Sequence, residues 1–290
     1  MKMRWRKRLL FVGIGGVLLL LGLAASQLPE IGAAMILHPP RRPLLMASAP
    51  PACQEVTFNG AGVKLHGWRG QGIGHHRGTL IYLHGVSDNR SSGAGIMERF
   101  RKRGFDVVAY DSRANGKSEG DACTYGFHEK EDLREVLNSI EKGPVILLGS
   151  SLGAAVALQL AASDKRITAV VAAETFSDLR TVVTERAPFF FTQDAIGQSF
   201  NLAEKKAHFR VDDVSPKAAA AKITIPVLLI HGEVDTDTPP DHSRRIHAAL
   251  AGPKRLILIP GARHNESLHG EIWQEIEQWI DTVLQSPAGE

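Results

Sequence analysis

The run Val145-Ile146-Leu147-Leu148-Gly149-Ser150-Ser151-Leu152-Gly153, continued by Ala154-Ala155-Val156-Ala157, decides the fold. Four consecutive branched apolar residues fit a strand buried on both faces, as in a parallel sheet covered by helices. The small and apolar residues after Gly153 fit a helix packed closely on that strand. Between them, G-x-S-x-G gives the sharp strand-to-helix turn that holds a serine in a strained backbone conformation. Gly149 and Gly153 lack the Cβ atoms that would clash across the turn. Ser151 is thereby a candidate nucleophile, and the following helix N-terminus offers unpaired N–H groups to a developing oxyanion.

A serine hydroxyl at neutral pH needs a base, and the base needs a group that orients it. Downstream, the apolar run Val227–Ile230 leads into His231-Gly232-Glu233-Val234-Asp235, and Leu256–Ile259 leads into Pro260-Gly261-Ala262-Arg263-His264. Asp235 and His264 therefore fall in loops after strands, in the chain order Ser…Asp…His. Loops at the C-terminal ends of parallel strands converge on one edge of the sheet, where sites form. Asp237 is a rival acid in the same loop, and the chain holds 12 histidines, so position carries the assignment. Upstream, Leu80–Leu83 leads into His84-Gly85-Val86. The N–H of Val86 is the candidate second oxyanion donor beside that of Leu152, and His84 reads as a structural brace for the loop.

Eight strands are predicted, at Glu55–Phe58, Val63–Trp68, Thr79–Leu83, Asp106–Tyr110, Val145–Leu148, Ala169–Ala173, Val227–Ile230 and Arg255–Ile259. The first two form an antiparallel hairpin through Asn59-Gly60. Helix-period segments alternate with the strands: Gly95–Arg103, His128–Glu141, Leu152–Ala162, Asp241–Ala251 and Glu271–Leu284. This pattern predicts an α/β class fold, a mostly parallel sheet of about eight strands with helices on both faces. The stretch from about 177 to 222 has no strand pattern and reads as a small helical cap. In it, Phe189-Phe190-Phe191 either lines an acyl pocket or simply packs.

With these segments in place, the chain from Thr57 to Gln285 resembles the α/β-hydrolase superfamily, and within it the serine aminopeptidase-like, membrane-anchored α/β-hydrolase-domain proteins. The likeness rests on His84-Gly85, on Tyr110-Asp111-Ser112-Arg113-Ala114-Asn115-Gly116-Lys117-Ser118, on the Ser151 turn and on the Asp235 and His264 loops. Relatives usually carry D-x-R-G-x-G-x-S, where this chain has Ala114 for the first glycine. The resemblance implies hydrolysis of an ester, thioester or amide through an acyl-serine, without a cofactor. It leaves the substrate open.

The N-terminus reads differently from the rest. Lys2, Arg4, Arg6, Lys7 and Arg8 precede an uncharged run whose dense part is Leu9–Ala25. As a helix, this run would span roughly 26 Å at about 1.5 Å per residue. It is long for a secretory h-region and is read as a signal-anchor, with a cleaved signal as the alternative. Residues 1–28 are thus a targeting segment, 53–290 the hydrolase domain, and 29–52, with six prolines, a stiff linker that either stands extended or packs on the domain, its apolar pieces Ala33–Leu37 and Leu44–Met46 favouring partial packing. The basic flank marks the cytoplasmic side, so the domain is expected outside the cytoplasm or, after cleavage, secreted. The net charge of +3 comes from that flank: without its five cations, 29 of the 34 basic residues face 31 acidic ones. No nucleic-acid footprint remains. Cys53 and Cys123, the only two cysteines, form no C-x-x-C pair; they are either one disulfide or two unpaired thiols.

Taken together, these readings predict a membrane-tethered serine hydrolase acting on a small acyl substrate, a carboxylic ester before a thioester or peptide. Two alternatives share the fold: a non-catalytic binding protein, and an acyltransferase using the same three residues. The sequence does not specify oligomeric state.

Overall fold

The computed structural model describes residues 22–285, apart from 24, 47 and 142. Its centre is an eight-stranded sheet in the order β1-β2-β4-β3-β5-β6-β7-β8. The strands are β1 Cys53–Asn59, β2 Lys64–Gly70, β3 Gly78–Leu83, β4 Phe105–Tyr110, β5 Val145–Ser150, β6 Ile167–Ala173, β7 Val227–Gly232 and β8 Lys254–Ile259. All eight predicted strands are present, with ends moved by a residue or two. β1 and β2 form the expected hairpin at one edge, β2 runs antiparallel to β4, and every later pairing is parallel.

Alternate residues along each central strand feed two cores. Ile81, Leu83, Val108, Tyr110 and Leu147 face α3 (Glu129–Asn138), α4 (Leu152–Ala161) and α8 (Asp241–Ala249). Leu80, Tyr82, Val107, Ala109 and Ile146 face α2 (Ala94–Arg101) and α9 (Ile272–Gln285), whose Ile272, Ile276 and Ile280 form a buried stripe at helical spacing. Each such side chain, fully buried, contributes about 1.5–3 kcal/mol relative to exposure. Both faces are thus covered, which is why the strands read as continuous apolar runs.

The connection from β6 to β7 is helical. It holds α5 (Leu179–Arg186), α6 (Gln193–Ala207) and the short α7 (Pro216–Ala220). Each begins on a side-chain cap: Asp178 accepts from the Thr181 N–H, Thr192 from Ala195 and Ser215 from Ala218. Such caps satisfy donors that the first helical turn leaves unpaired.

Of the two readings of the proline-rich segment, the structure shows the packed one. Residues 25–37 are helical (α1), and Ala33, Ile36 and Leu37 pack into a third core with Phe176, Leu179, Val182 and Phe200 of the β6–β7 connection. Five of the six prolines follow this helix, so its second half can bury a stripe at i, i+3 and i+4. Gly32 lets α1 approach α6: a Cβ there would lie 2.2 Å from Ser199 Oγ. Beyond α1, Arg41 donates to the carbonyls of Gly120 and Ser118, Asn89 donates to those of Arg42 and Pro43, and Leu44 and Met46 lean on the second core. The segment straps onto the domain.

Residues 1–21, with the basic flank and most of the apolar run, lie outside the described residues. Among the described residues no helix is long and apolar enough to cross a membrane. Cys53 and Cys123 are unbridged; Cys53 packs against the α2/α9 core and Cys123 sits in the α3/α4 core, on opposite faces of the sheet.

Candidate active site

β5 delivers its chain end into a turn at Ser151, where φ is +50° and ψ −112°. A non-glycine residue at positive φ is strained, by about 1–3 kcal/mol, and here its surroundings hold it. The Ser151 N–H donates to the Ala173 carbonyl at 2.8 Å. A Cβ on Gly149 would lie 2.4 Å from the Ala154 nitrogen, and one on Gly153 would lie 2.1 Å from the Leu83 carbonyl oxygen. The two glycines of the motif are therefore what permits strand β5, helix α4 and strand β3 to meet at this serine.

His264, in the loop after β8, stands with Nε2 3.2 Å from Ser151 Oγ and Nδ1 2.6 Å from a carboxylate oxygen of Asp235. With Nδ1–H donating to the carboxylate, Nε2 is left to accept the serine proton. The other Asp235 oxygen accepts the N–H groups of Asp237 and Thr238, each at 2.9 Å. Asp237 itself is exposed and turns only its backbone toward the site, which separates the two rival acids. Burial on its own would raise the Asp235 carboxyl, but the hydrogen bonds from His231, His264 and Thr238 outweigh it and hold the group well below the usual carboxylate range. Ser151, read from its G-x-S-x-G turn, and Asp235 and His264, read from their strand ends, are thus brought into one hydrogen-bonded chain.

The β3 loop lies against the serine: a Cβ on Gly85 would sit 3.5 Å from that of Ser151. Val86 follows in this loop, half-buried, and Leu152 opens α4, so its N–H has no partner within the helix. His84 is wholly buried; its Nδ1–H donates to the Gly85 carbonyl at 2.7 Å and its Nε2 accepts the Ser112 N–H at 2.9 Å. It ties the β3 loop to the β4 loop, the bracing role expected of it. In that β4 loop Ala114 adopts φ +59°, so the turn keeps the glycine conformation with an alanine in it.

Two residues at the site escaped the sequence reading. His231, at the end of β7, is wholly buried, with Nε2 3.2 Å from Asp235 and 2.7 Å from the Thr238 carbonyl, and Nδ1 2.7 Å from Ser243 Oγ. Glu174, just past β6 at φ +55°, accepts the N–H groups of Asn265 at 2.7 Å and Ser267 at 2.9 Å. A His-Gly pair and an acid directly after apolar strands were the available signals, but sequence alone does not say which loops face each other.

One cavity adjoins these residues, and a second, lined by none of them, lies under α1. The first, of about 370 Å³, is partly polar and is lined by Ser150, Glu174, Asn265, Tyr82, Arg99 and Trp273. The other, of about 160 Å³, is mainly apolar and lies between α1 and the α5–α6 region, lined by Met35, Ile36, Val182, Phe191 and Ile196 among others. Phe191 thus faces a cavity, while Phe189 and Phe190 are exposed. Among the described residues no group of three His, Cys, Asp or Glu side chains is arranged to hold a metal ion.

Comparison with known proteins agrees with this architecture. A family model described as alpha/beta hydrolase fold matches residues 78–211. The uncharacterized protein YfhR of Escherichia coli K12 is 28% identical over 220 residues, covering 71% of this chain and 70% of that one. The uncharacterized protein YqkD of Bacillus subtilis is 30% identical over 207 residues, 64% of each chain. Among solved structures, the Pyrococcus furiosus esterase Pf2001 superposes with a TM-score of 0.63 at 22% identity, over 84% of this chain and 96% of that one. Mouse alpha/beta hydrolase domain-containing protein 10 gives 0.61 at 23% identity, over 79% and 99%.

Proposed function

We propose that this chain, which has the α/β-hydrolase fold, is a serine hydrolase that cleaves a carboxylic ester through an acyl-serine intermediate. The observation that carries the reading is the continuous hydrogen-bonded chain Asp235–His264–Ser151 ending on a serine held at positive φ. Ser151 Oγ attacks the acyl carbonyl as its proton passes to His264 Nε2. Asp235, ionised and buried, keeps Nδ1 protonated and stabilises the imidazolium that forms. The N–H groups of Val86 and Leu152 receive the carbonyl oxygen as it becomes negative. Collapse expels the alcohol, which takes the proton from His264. Water then repeats the sequence on the acyl-serine and releases the carboxylic acid.

The apolar cavity beside Phe191 in the β6–β7 connection supports an apolar acyl substrate over a charged one. The basic flank and uncharged run of residues 2–25 support a domain tethered to a membrane on the extracytoplasmic side.

A fluorophosphonate reagent applied to the protein and to Ser151→Ala tests the mechanism. Labelling confined to Ser151, with ester turnover lost in the folded variant, is the expected result. Absence of labelling in folded wild type, or turnover that survives in Ser151→Ala, would overturn it.

A further inference from the structure

The outer face of α1 is apolar where a surface helix is ordinarily polar. Its buried side carries Ala33, Ile36 and Leu37. On the opposite side Ile31 and Met35 are 47% and 55% exposed, sharing one stripe of the helix with Gln27 and Ala34. Beside this stripe, the turn after α5 offers Phe189 and Phe190 at 99% and 54% exposure. The two surfaces are continuous. Phe189 and Phe190 stack edge-on at 5.5 Å, Phe190 stands 5.4 Å from Phe191, and Phe191 shares a cavity wall with Met35 of the stripe. Lys206 of α6 pairs with Glu30 and fixes α1 in this orientation.

From this continuity we infer that α1 and the Phe189–Phe190 turn form a face that lies on a lipid bilayer, with α1 in the plane of the interface. Large contiguous apolar patches on a folded domain mark interaction sites, and the chain itself says what covers this one. Directly upstream of the stripe come the uncharged residues 9–25 and, before them, five cations. A segment of that composition partitions into an anionic membrane and delivers α1 to its surface. The apolar cavity lies between the same two elements, with Met35 and Phe191 in its wall, so acyl chains from the bilayer meet it at the membrane-facing edge. The inference rests on the membrane reading of the N-terminus and extends the proposed ester hydrolysis to lipid esters.

The test places an NBD fluorophore on the full-length protein at Phe189→Cys, and separately at Ile73→Cys, in a Cys53→Ser background; Cys123 is buried. Ile73 is an apolar side chain 58% exposed, close to the 54% of Phe190, in the β2–β3 connection at the end of the sheet where the parallel strands begin. Both proteins are reconstituted in phosphatidylcholine/phosphatidylglycerol vesicles with and without a doxyl-labelled lipid. A blue shift with doxyl quenching at position 189 and neither at 73 is the expected result. Failure of the protein to float with the vesicles, a water-like spectrum at 189, equal quenching at both positions, or a blue shift without doxyl quenching (cover by protein) would each overturn it. Fluorophosphonate labelling of the same samples reads the hydrolase assignment separately.

Discussion

The Glu174 carboxylate accepts the Asn265 N–H at 2.7 Å across ninety-one residues of chain. Its second oxygen takes the Ser267 N–H at 2.9 Å. The end of β6 thereby clamps the loop that begins at His264 through one buried side chain that accepts two backbone N–H groups. Glu174→Ala should release the loop, lower kcat/KM by roughly 10–100-fold through misplacement of His264, and slow fluorophosphonate labelling in proportion. Glu174→Gln, which retains one acceptor, should fall between. An unchanged labelling rate in the alanine variant would show that the loop is held by other contacts.

Asp235 and Asp237 lie two residues apart, yet only one matters to His264. Asp235→Asn keeps the shape and removes the charge, so the amide favours the wrong imidazole tautomer; kcat should fall by about 10⁴. Asp237→Asn should change it less than about twofold, because the exposed side chain leaves the site to the backbone N–H. Steady-state rates on one soluble short-chain ester decide the matter, and equal losses in the two variants would sink the assignment.

Sheet and nucleophile were legible because their signals are local. Branched apolar runs read as buried strands, and a glycine pair two residues either side of Ser151 reads as a turn. Asp235 and His264 were reachable because strand ends in a parallel sheet share one edge. Glu174 was not, since its partners Asn265 and Ser267 are close only once β6 and the β8 loop are neighbours. The strap was legible only in part, for a related reason. Its six prolines argued for an extended spacer and its apolar pieces for packing, and Ala33, Ile36 and Leu37 had a surface to fold onto, supplied by Phe176 and Phe200 from far along the chain. Tertiary burial overrode the local preference.

Gly153 is the site's steric keystone. Its missing Cβ is replaced by the Leu83 carbonyl, 2.1 Å from where that atom would stand, and backbone on that side belongs to the central strand β3. Gly153→Ala should force α4 away from β3, cost about 1–3 kcal/mol, and disturb Ser151 and the Leu152 N–H together. Activity should drop further than the folded fraction does. Gly197→Ala is the matched control, since nothing lies within 4 Å of its added methyl; a mid-helix alanine there should stabilise by about 0.5–1 kcal/mol. Thermal melts of the two variants that move in the same direction would contradict this account.

His84 and His242 should make stability fall as pH drops from about 7.5 to 5.5. Both are fully buried. In His84 burial outweighs the pull of the Gly85 bond and of Asp88 and Asp111, and the imidazole resists protonation. In His242 burial and the Arg245 guanidinium outweigh the opposing effect of Glu185 and Asp178. Its Nε2–H donates to Glu185 at 2.8 Å, and Nδ1 accepts the Ser177 N–H at 3.0 Å, so the neutral ring already uses both nitrogens. Unfolded histidines take a proton near pH 6.5. Below that pH the unfolded chain therefore binds protons the folded one refuses, and stability falls by up to about 1.4 kcal/mol per pH unit for each group. The depressed Asp235 carboxyl loses its contribution only below about pH 4, where unfolded carboxylates protonate, so this window isolates the histidines. Urea midpoints at pH 7.5 and 5.5 should differ in wild type and differ less in His242→Asn, whose side-chain oxygen can still accept from Ser177. Identical wild-type midpoints, or a difference untouched by the substitution, would remove His242 from the account.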